Sequence, residues 1–279
     1  MTPFKCISLI LLALTTTSVV AQSSTSNIQG VKKAPGATRN WSARIDTTVS
    51  RDLLKTSEAN HYSGMYNSFR FNIITDKGSF AAKTTVSKDF VDERKSRISD
   101  TSVSFTRKAS QPFDGVVSFG TASIKLPTSK VSRKYSNLQA GISLSEGLSI
   151  ADSVIGIKDL SALVILGASK NFHEYETSMT GSSNTSYSLS SIAYLTYSMS
   201  DELYLSLGGT YMKGWTYQNN TKDAYSFSQA IGYSFGPKYN LEIGHEFGGT
   251  PLSPDGKKVE IDLFDERDSS VYASLTIKI

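Results

Sequence analysis

From Trp41 to the C-terminus, apolar and polar positions alternate with a period of two in one segment after another. The stretch YSFSQAIGYSF, Tyr225 to Phe235, sets Tyr225, Phe227, Ile231, Tyr233 and Phe235 against Ser226, Ser228, Ala230, Gly232 and Ser234. Successive side chains of a strand point to opposite faces, so this run has one greasy face and one face of small, weakly polar groups. A soluble sheet that buries an aromatic face normally shows charged residues to water on the other. Serine and glycine suit a confined wet space, such as the inner wall of a closed barrel.

The same dyad pattern marks WSARIDTTV from Trp41, MYNSFRFNI from Met65, FAAKTTV from Phe80, TSVSFT from Thr101, VVSFGTASIKL from Val116 and LQAGISL from Leu138. It continues in LSALVILGAS from Leu160, YSLSSIAYLTY from Tyr187, LYLSLGGTYMKGW from Leu203, YNLEIGHEF from Tyr239 and VYASLTIKI from Val271. With the stretch at Tyr225 these make about twelve strands, most of them near the roughly 9–11 residues that a tilted membrane-spanning strand needs. No apolar run at helical spacing competes with them.

Connections separate a barrel from a sandwich. Every second one is mostly short: TDKG at Thr75, KASQPFDG at Lys108, MSDE at Met199 and GPK at Gly236. The others are longer: Arg51 to Ser63, Lys88 to Asp100, Pro127 to Tyr135, Asn171 to Ser186, Thr216 to Asp223 and Gly248 to Ser269. The sixth, Ser145 to Lys158, is the exception. Sorting of short turns to one end and long loops to the other, with an even strand count, is the arrangement of a transmembrane β-barrel.

The N-terminus adds an export signal. MTPFKCISLILLALTTTSVVAQ carries one lysine, an apolar core from Ile7 to Leu14 and small residues up to Ala21, the pattern of a secretory signal peptide over residues 1–21. Residues 22–40 are polar and aperiodic and read as a flexible leader, leaving 41–279 for the barrel. Cys6 is the only cysteine and lies within the signal, so the mature chain is expected to hold no disulfide and no Cys-ligated metal. Loss of Lys5 with the signal leaves 28 basic against 25 acidic residues, a net charge of +3, which does not point to nucleic acid.

The last strand places Val271, Ala273, Leu275, Ile277 and Ile279 on one face at the very end of the chain. With the dyad repeats and sorted loops, this resembles the bacterial outer-membrane β-barrel proteins, a porin-like class. The resemblance is architectural. It implies an all-β, closed antiparallel up-and-down transmembrane barrel in the bacterial outer membrane, recognised by the barrel-insertion machinery through its last strand. Its partners would be outer-membrane lipids and lipopolysaccharide. Proteins of the class usually end in an aromatic residue, whereas this chain ends in Ile279. Tyr and Trp gather near strand ends, at Trp41, Tyr62, Tyr66, Tyr187, Tyr197, Tyr211, Trp215, Tyr217, Tyr233 and Tyr239, as interfacial girdles require.

If Trp41, Ile45 and Val49 face lipid, then Ser42, Arg44, Asp46, Thr48 and Ser50 face inward. The same rule turns Ser68, Arg70 and Asn72 inward, then Lys83 and Thr85, then Asn240, Glu242 and Glu246, and finally Lys278. Closure joins these strands into one charged wall. The facing wall is expected to be small: Ser188, Ser190, Thr196, Ser206, Gly208, Thr210, Ser226, Ser228 and Gly232. The expected function is a passive pore for small hydrophilic solutes, with Arg44, Asp46, Arg70, Lys83, Glu242 and Glu246 setting selectivity. The alternative for the same charges is a salt-bridged filling, because barrels of about eight strands are filled and those of about sixteen conduct.

His61, His173 and His245 fall toward the long-loop end, near Glu58, Glu174 with Glu176, and Glu246 respectively. Imidazole beside carboxylate serves general-base chemistry, so a loop-borne hydrolase similar to the outer-membrane phospholipase or the omptin-like proteases competes, as does an adhesin or receptor. The motifs do not carry over: His61-Tyr62-Ser63 has the phospholipase spacing, but Gly64 follows in place of asparagine. No catalytic residue, cofactor or metal site is therefore expected. Lys88 to Arg97 reads as a solvated loop, whose basic members, with Lys130, Arg133 and Lys134, suit lipopolysaccharide phosphates.

Overall fold

The computed structural model describes residues 39–55, 61–91, 95–250 and 268–279. The expected signal at 1–21, all of the expected leader but Arg39 and Asn40, and Glu58 lie outside the described residues. The strands are β1 (Trp41–Asp52), β2 (Ser63–Thr75), β3 (Gly78–Asp89), β4 (Ser96–Ile98), β5 (Thr101–Arg107), β6 (Ser110–Phe113) and β7 (Val116–Leu126). They continue as β8 (Leu138–Ile150), β9 (Leu160–His173), β10 (Thr185–Ser198), β11 (Leu203–Thr216), β12 (Thr221–Phe235), β13 (Tyr239–Gly249) and β14 (Ser269–Lys278).

Each strand pairs antiparallel with its neighbours around one sheet, and β14 pairs with β1, so the sheet closes. The short segments β4 and β6 flank β5, so the wall has twelve staves. The seam is sealed at the chain ends, where Ala43 and Ile279 exchange backbone hydrogen bonds of 3.1 and 2.8 Å. Both described termini thus lie at one end of the barrel, with the turns at 76–77, 114–115, 151–159, 199–202 and 236–238. The opposite, loop end carries the described connections at 53–55 with 61–62, 90–91 with 95–100, 127–137, 174–184 and 217–220, and there β13 ends and β14 begins.

The sixth connection is shorter than the pattern suggests. β8 runs on through Ser145, Gly147 and Ser149 to Ile150, and the turn that follows holds a short helix, Asp152–Ile155. Glu146 interrupts the apolar face there, but its charge is met on the outer wall: Arg107 lies 2.5 Å away and the Ser118 hydroxyl donates at 2.6 Å. One ion pair near the terminal end is not a belt of charge.

Elsewhere the molecule is inside out relative to a soluble protein. Phe69, Phe71, Ile124, Leu144, Leu166 and Ile243 are exposed on the outside, while Arg44, Asp46, Ser68, Thr85, Glu242 and Thr276 are buried. Only a hydrocarbon solvent favours that partition, because it stabilises apolar side chains outside and strongly disfavours charges there. Trp41, Tyr187, Tyr197, Tyr211, Tyr233 and Tyr239 are exposed near strand ends, as a girdle requires. Tyr66 departs from that expectation: it is buried, on the face of β2 shared with Ser68 and Arg70.

Candidate functional site

Strand register decides which side chains share the lumen, since residues directly opposite in an antiparallel pair lie on one face. Arg44 stands opposite Lys278 on one side and Arg70 on the other, and Arg70 stands opposite Lys83. Asp46 lies one step along β1, opposite Thr276 and Ser68. Every residue expected to set selectivity thus falls on the inner face: Arg44, Asp46, Arg70 and Lys83 on β1 to β3, Glu242 and Glu246 on β13.

The charges are not evenly matched. Arg44 and Asp46 form a direct pair, with Nε donating to Oδ1 at 2.7 Å, and Thr276 donates to the same oxygen at 2.7 Å. Arg44 Nη2 also donates to Thr276 at 3.2 Å. Arg70 instead donates to Asn72 Oδ1 at 2.9 Å, and Asn72 donates to Ser42 at 3.2 Å. Glu242 accepts from the hydroxyls of Tyr272 at 2.9 Å and Tyr204 at 3.1 Å, and Asn240 donates to Tyr204 at 2.8 Å. Arg44 is 7% exposed and Asp46 and Glu242 are 6% exposed, so the lumen is tightly lined at this level. A wide aqueous channel would leave such wall residues open to solvent.

The facing wall holds the expected small residues, with Ser206, Thr210 and Ser228 all buried. The lumen as a whole also holds rings that the small-residue pattern did not reveal. Directly opposite pairs match an inward ring with an inward glycine four times: Phe119 with Gly147, Tyr194 with Gly208, Tyr204 with Gly232, and Tyr272 with Gly244. At each glycine an added Cβ would collide with the ring opposite. The inner glycines are therefore footings for aromatic side chains laid across them. Leu163 and Tyr194 form a small buried cluster with Phe119, Ile165 and Ile192 packed against it, so part of the lumen is filled by apolar groups.

The histidines are spread around the barrel. His61 Nδ1 lies 2.6 Å from Asp52 Oδ1 at the loop end, and the Tyr62 N–H donates to Asp52 Oδ2 at 2.5 Å. Burial, then the adjacent Tyr66 hydroxyl, pushes the Tyr62 phenol far above its ordinary range, so it stays protonated. His173 meets the Tyr217 hydroxyl, and His245 shares its face with Gln229 and Phe247. Glu246 points the other way from His245 along β13. Among the described residues, no three His, Cys, Asp or Glu side chains are grouped to hold a metal ion.

Fold and lining together define a closed twelve-stranded transmembrane barrel with a polar, partly filled lumen. Its fold is shared by an outer membrane channel from Pseudomonas putida F1, with a TM-score of 0.58 and 10% identity over 86% of this chain and 95% of that one. The NanC porin gives a TM-score of 0.54 and 12% identity over 84% of this chain and 100% of that one. The KdgM porin in complex with disordered oligogalacturonate gives 0.50 and 9% over 84% and 98%. No family model and no curated protein matches the sequence.

Proposed function

We propose that this chain is a passive pore of the bacterial outer membrane for small hydrophilic solutes and is not an enzyme. The observation that carries this reading is the inversion of polarity across a closed wall. Charged and hydroxyl side chains line the inside, while an apolar surface with aromatic ends faces out. Arg44, Asp46, Arg70, Lys83, Glu242 and Glu246 form the constriction that discriminates among solutes. The outer-membrane channels that share the fold support both the location and the role. Lys130, Arg133 and Lys134 lie on and beside the short helical turn Val131–Tyr135 at the loop end, and contact with lipopolysaccharide phosphates is part of this proposal.

Refolded protein in a planar bilayer tests the role: discrete conductance steps are expected, and persistent silence would rule the pore out. The loop-borne hydrolase makes the opposite forecast, lipid or peptide cleavage that disappears when His61, His173 and His245 are replaced together.

A further inference from the structure

The register that brings Arg44 beside Arg70 continues across the wall. Lys278, Arg44, Arg70 and Lys83 occupy four adjacent strands at directly opposed positions, Ser102 takes the next place on β5, and Lys125 follows on β7. Directly opposed like charges destabilise a sheet, so three successive cation pairs work against folding. Closure of the barrel does not require them.

Counter-charge is scarce along the row. Asp46 acts on Arg70, Lys83 and Lys278, but it is already bonded to Arg44 and Thr276. Among the described residues, no carboxylate lies within ion-pair distance of Arg70, Lys83, Lys125 or Lys278. A salt-bridged filling would pair each cation with an acid. This row leaves most of its charge for something that enters.

Its direction matters as much as its charge. Staves of such barrels tilt by about 35–45°, so a row at right angles to the strands climbs the wall as it goes round. Lys278 ends β14 at the terminal end, and Lys125 is the penultimate residue of β7 at the loop end. The cations thus form a slanted track along the passage, at intervals of about 4.7–4.9 Å where strands are adjacent. A single negative charge meets one or two of them, whereas a solute with several carboxylates meets a succession.

Resting on the pore reading above, we propose that the lumen binds solutes carrying two or more negative charges along this track, with Arg70 and Lys83 as the specificity-determining residues. The test uses the refolded full chain, with citrate as the polyanion and acetate as the single-charge control. Calorimetric titration should show saturable citrate binding and none for acetate. Arg70→Gln and Lys83→Gln should each weaken citrate by about tenfold, the loss of one charge-assisted contact. Both variants relieve repulsion, so folding should survive, and Lys125→Gln supplies a further probe at the loop end. In a bilayer, citrate should depress the chloride current of the wild type and much less that of the two variants.

Equal binding of acetate and citrate, or variants that bind citrate like the wild type, would overturn the proposal. Conductance that ignores citrate leaves the pore and removes the track. Citrate binding without conductance leaves the anion track and removes the pore.

Discussion

Replacing Gly244 with alanine tests the inner packing directly. An added Cβ would lie 2.5 Å from Tyr272 Cζ, 2.6 Å from its hydroxyl oxygen and 2.8 Å from the Gln229 backbone carbonyl. Carbon atoms in contact rest about 3.5–4.0 Å apart, so the ring must retreat by about 1 Å. That retreat stretches the 2.9 Å hydrogen bond from Tyr272 to Glu242 beyond bonding range, and the carbonyl bars the alternative of moving the glycine strand. Overpacking of this kind costs about 1–3 kcal/mol. The lost bond to a charged group adds about 1.5–3 kcal/mol. Gly244→Ala should therefore cost about 2.5–6 kcal/mol in reversible urea unfolding of the refolded barrel. Adding Tyr272→Ala removes the ring from the collision, so the double variant should lose less than the sum of the singles. Gly209, with nothing within 4 Å of an added Cβ, is the control, and Gly209→Ala should be neutral. A Gly244→Ala barrel within about 0.5 kcal/mol of the wild type, the range of an inconsequential surface change, would refute the reasoning.

Asp46→Asn strips Arg44 of its carboxylate partner inside a tightly lined wall, and should cost about 3–5 kcal/mol in the same unfolding assay. The double change Arg44→Gln with Asp46→Asn should cost less than Asp46→Asn alone. Leu207→Arg places a cation on the outward face of β11, where Leu205 and Leu207 are exposed, and should cost about 2–4 kcal/mol if that face meets the bilayer interior. Arg70→Gln and Lys83→Gln should each shift the reversal potential in a potassium chloride gradient toward lower anion preference, read in single-channel recordings.

Architecture was legible in the sequence because a period of two survives any detail of packing. Tyr225 to Phe235 show the same division of faces in the pattern and in the structure, with Ser228 and Gly232 inside and Ile231 and Phe235 exposed. The end of β8 was harder to read. Glu146 stands on an outward position, which marks a loop unless a partner is known, and that partner, Arg107, comes from a distant segment. The inward charges followed from strand parity alone. What parity cannot supply is register between strands, so neither the alignment of Lys278, Arg44, Arg70 and Lys83 nor the placing of Tyr194 across Gly208 was visible. Tyr66 illustrates the same limit. Its place near the start of a strand suggests a girdle, yet it shares an inner face with Ser68, and its hydroxyl lies 2.5 Å from that of Tyr62.

The barrel itself is most directly tested by a single-cysteine scan from Tyr225 to Phe235, feasible because the sequence has no cysteine after Cys6. Nitroxide labels at each position would be exposed in turn to a lipid-soluble and a water-soluble relaxing agent. A sealed wall between hydrocarbon and lumen requires that labels at 225, 227, 229, 231, 233 and 235 respond to the lipid-soluble agent, and that those at 226, 228, 230, 232 and 234 escape it. Equal response along the whole stretch, or access of the water-soluble agent to both faces, would contradict it.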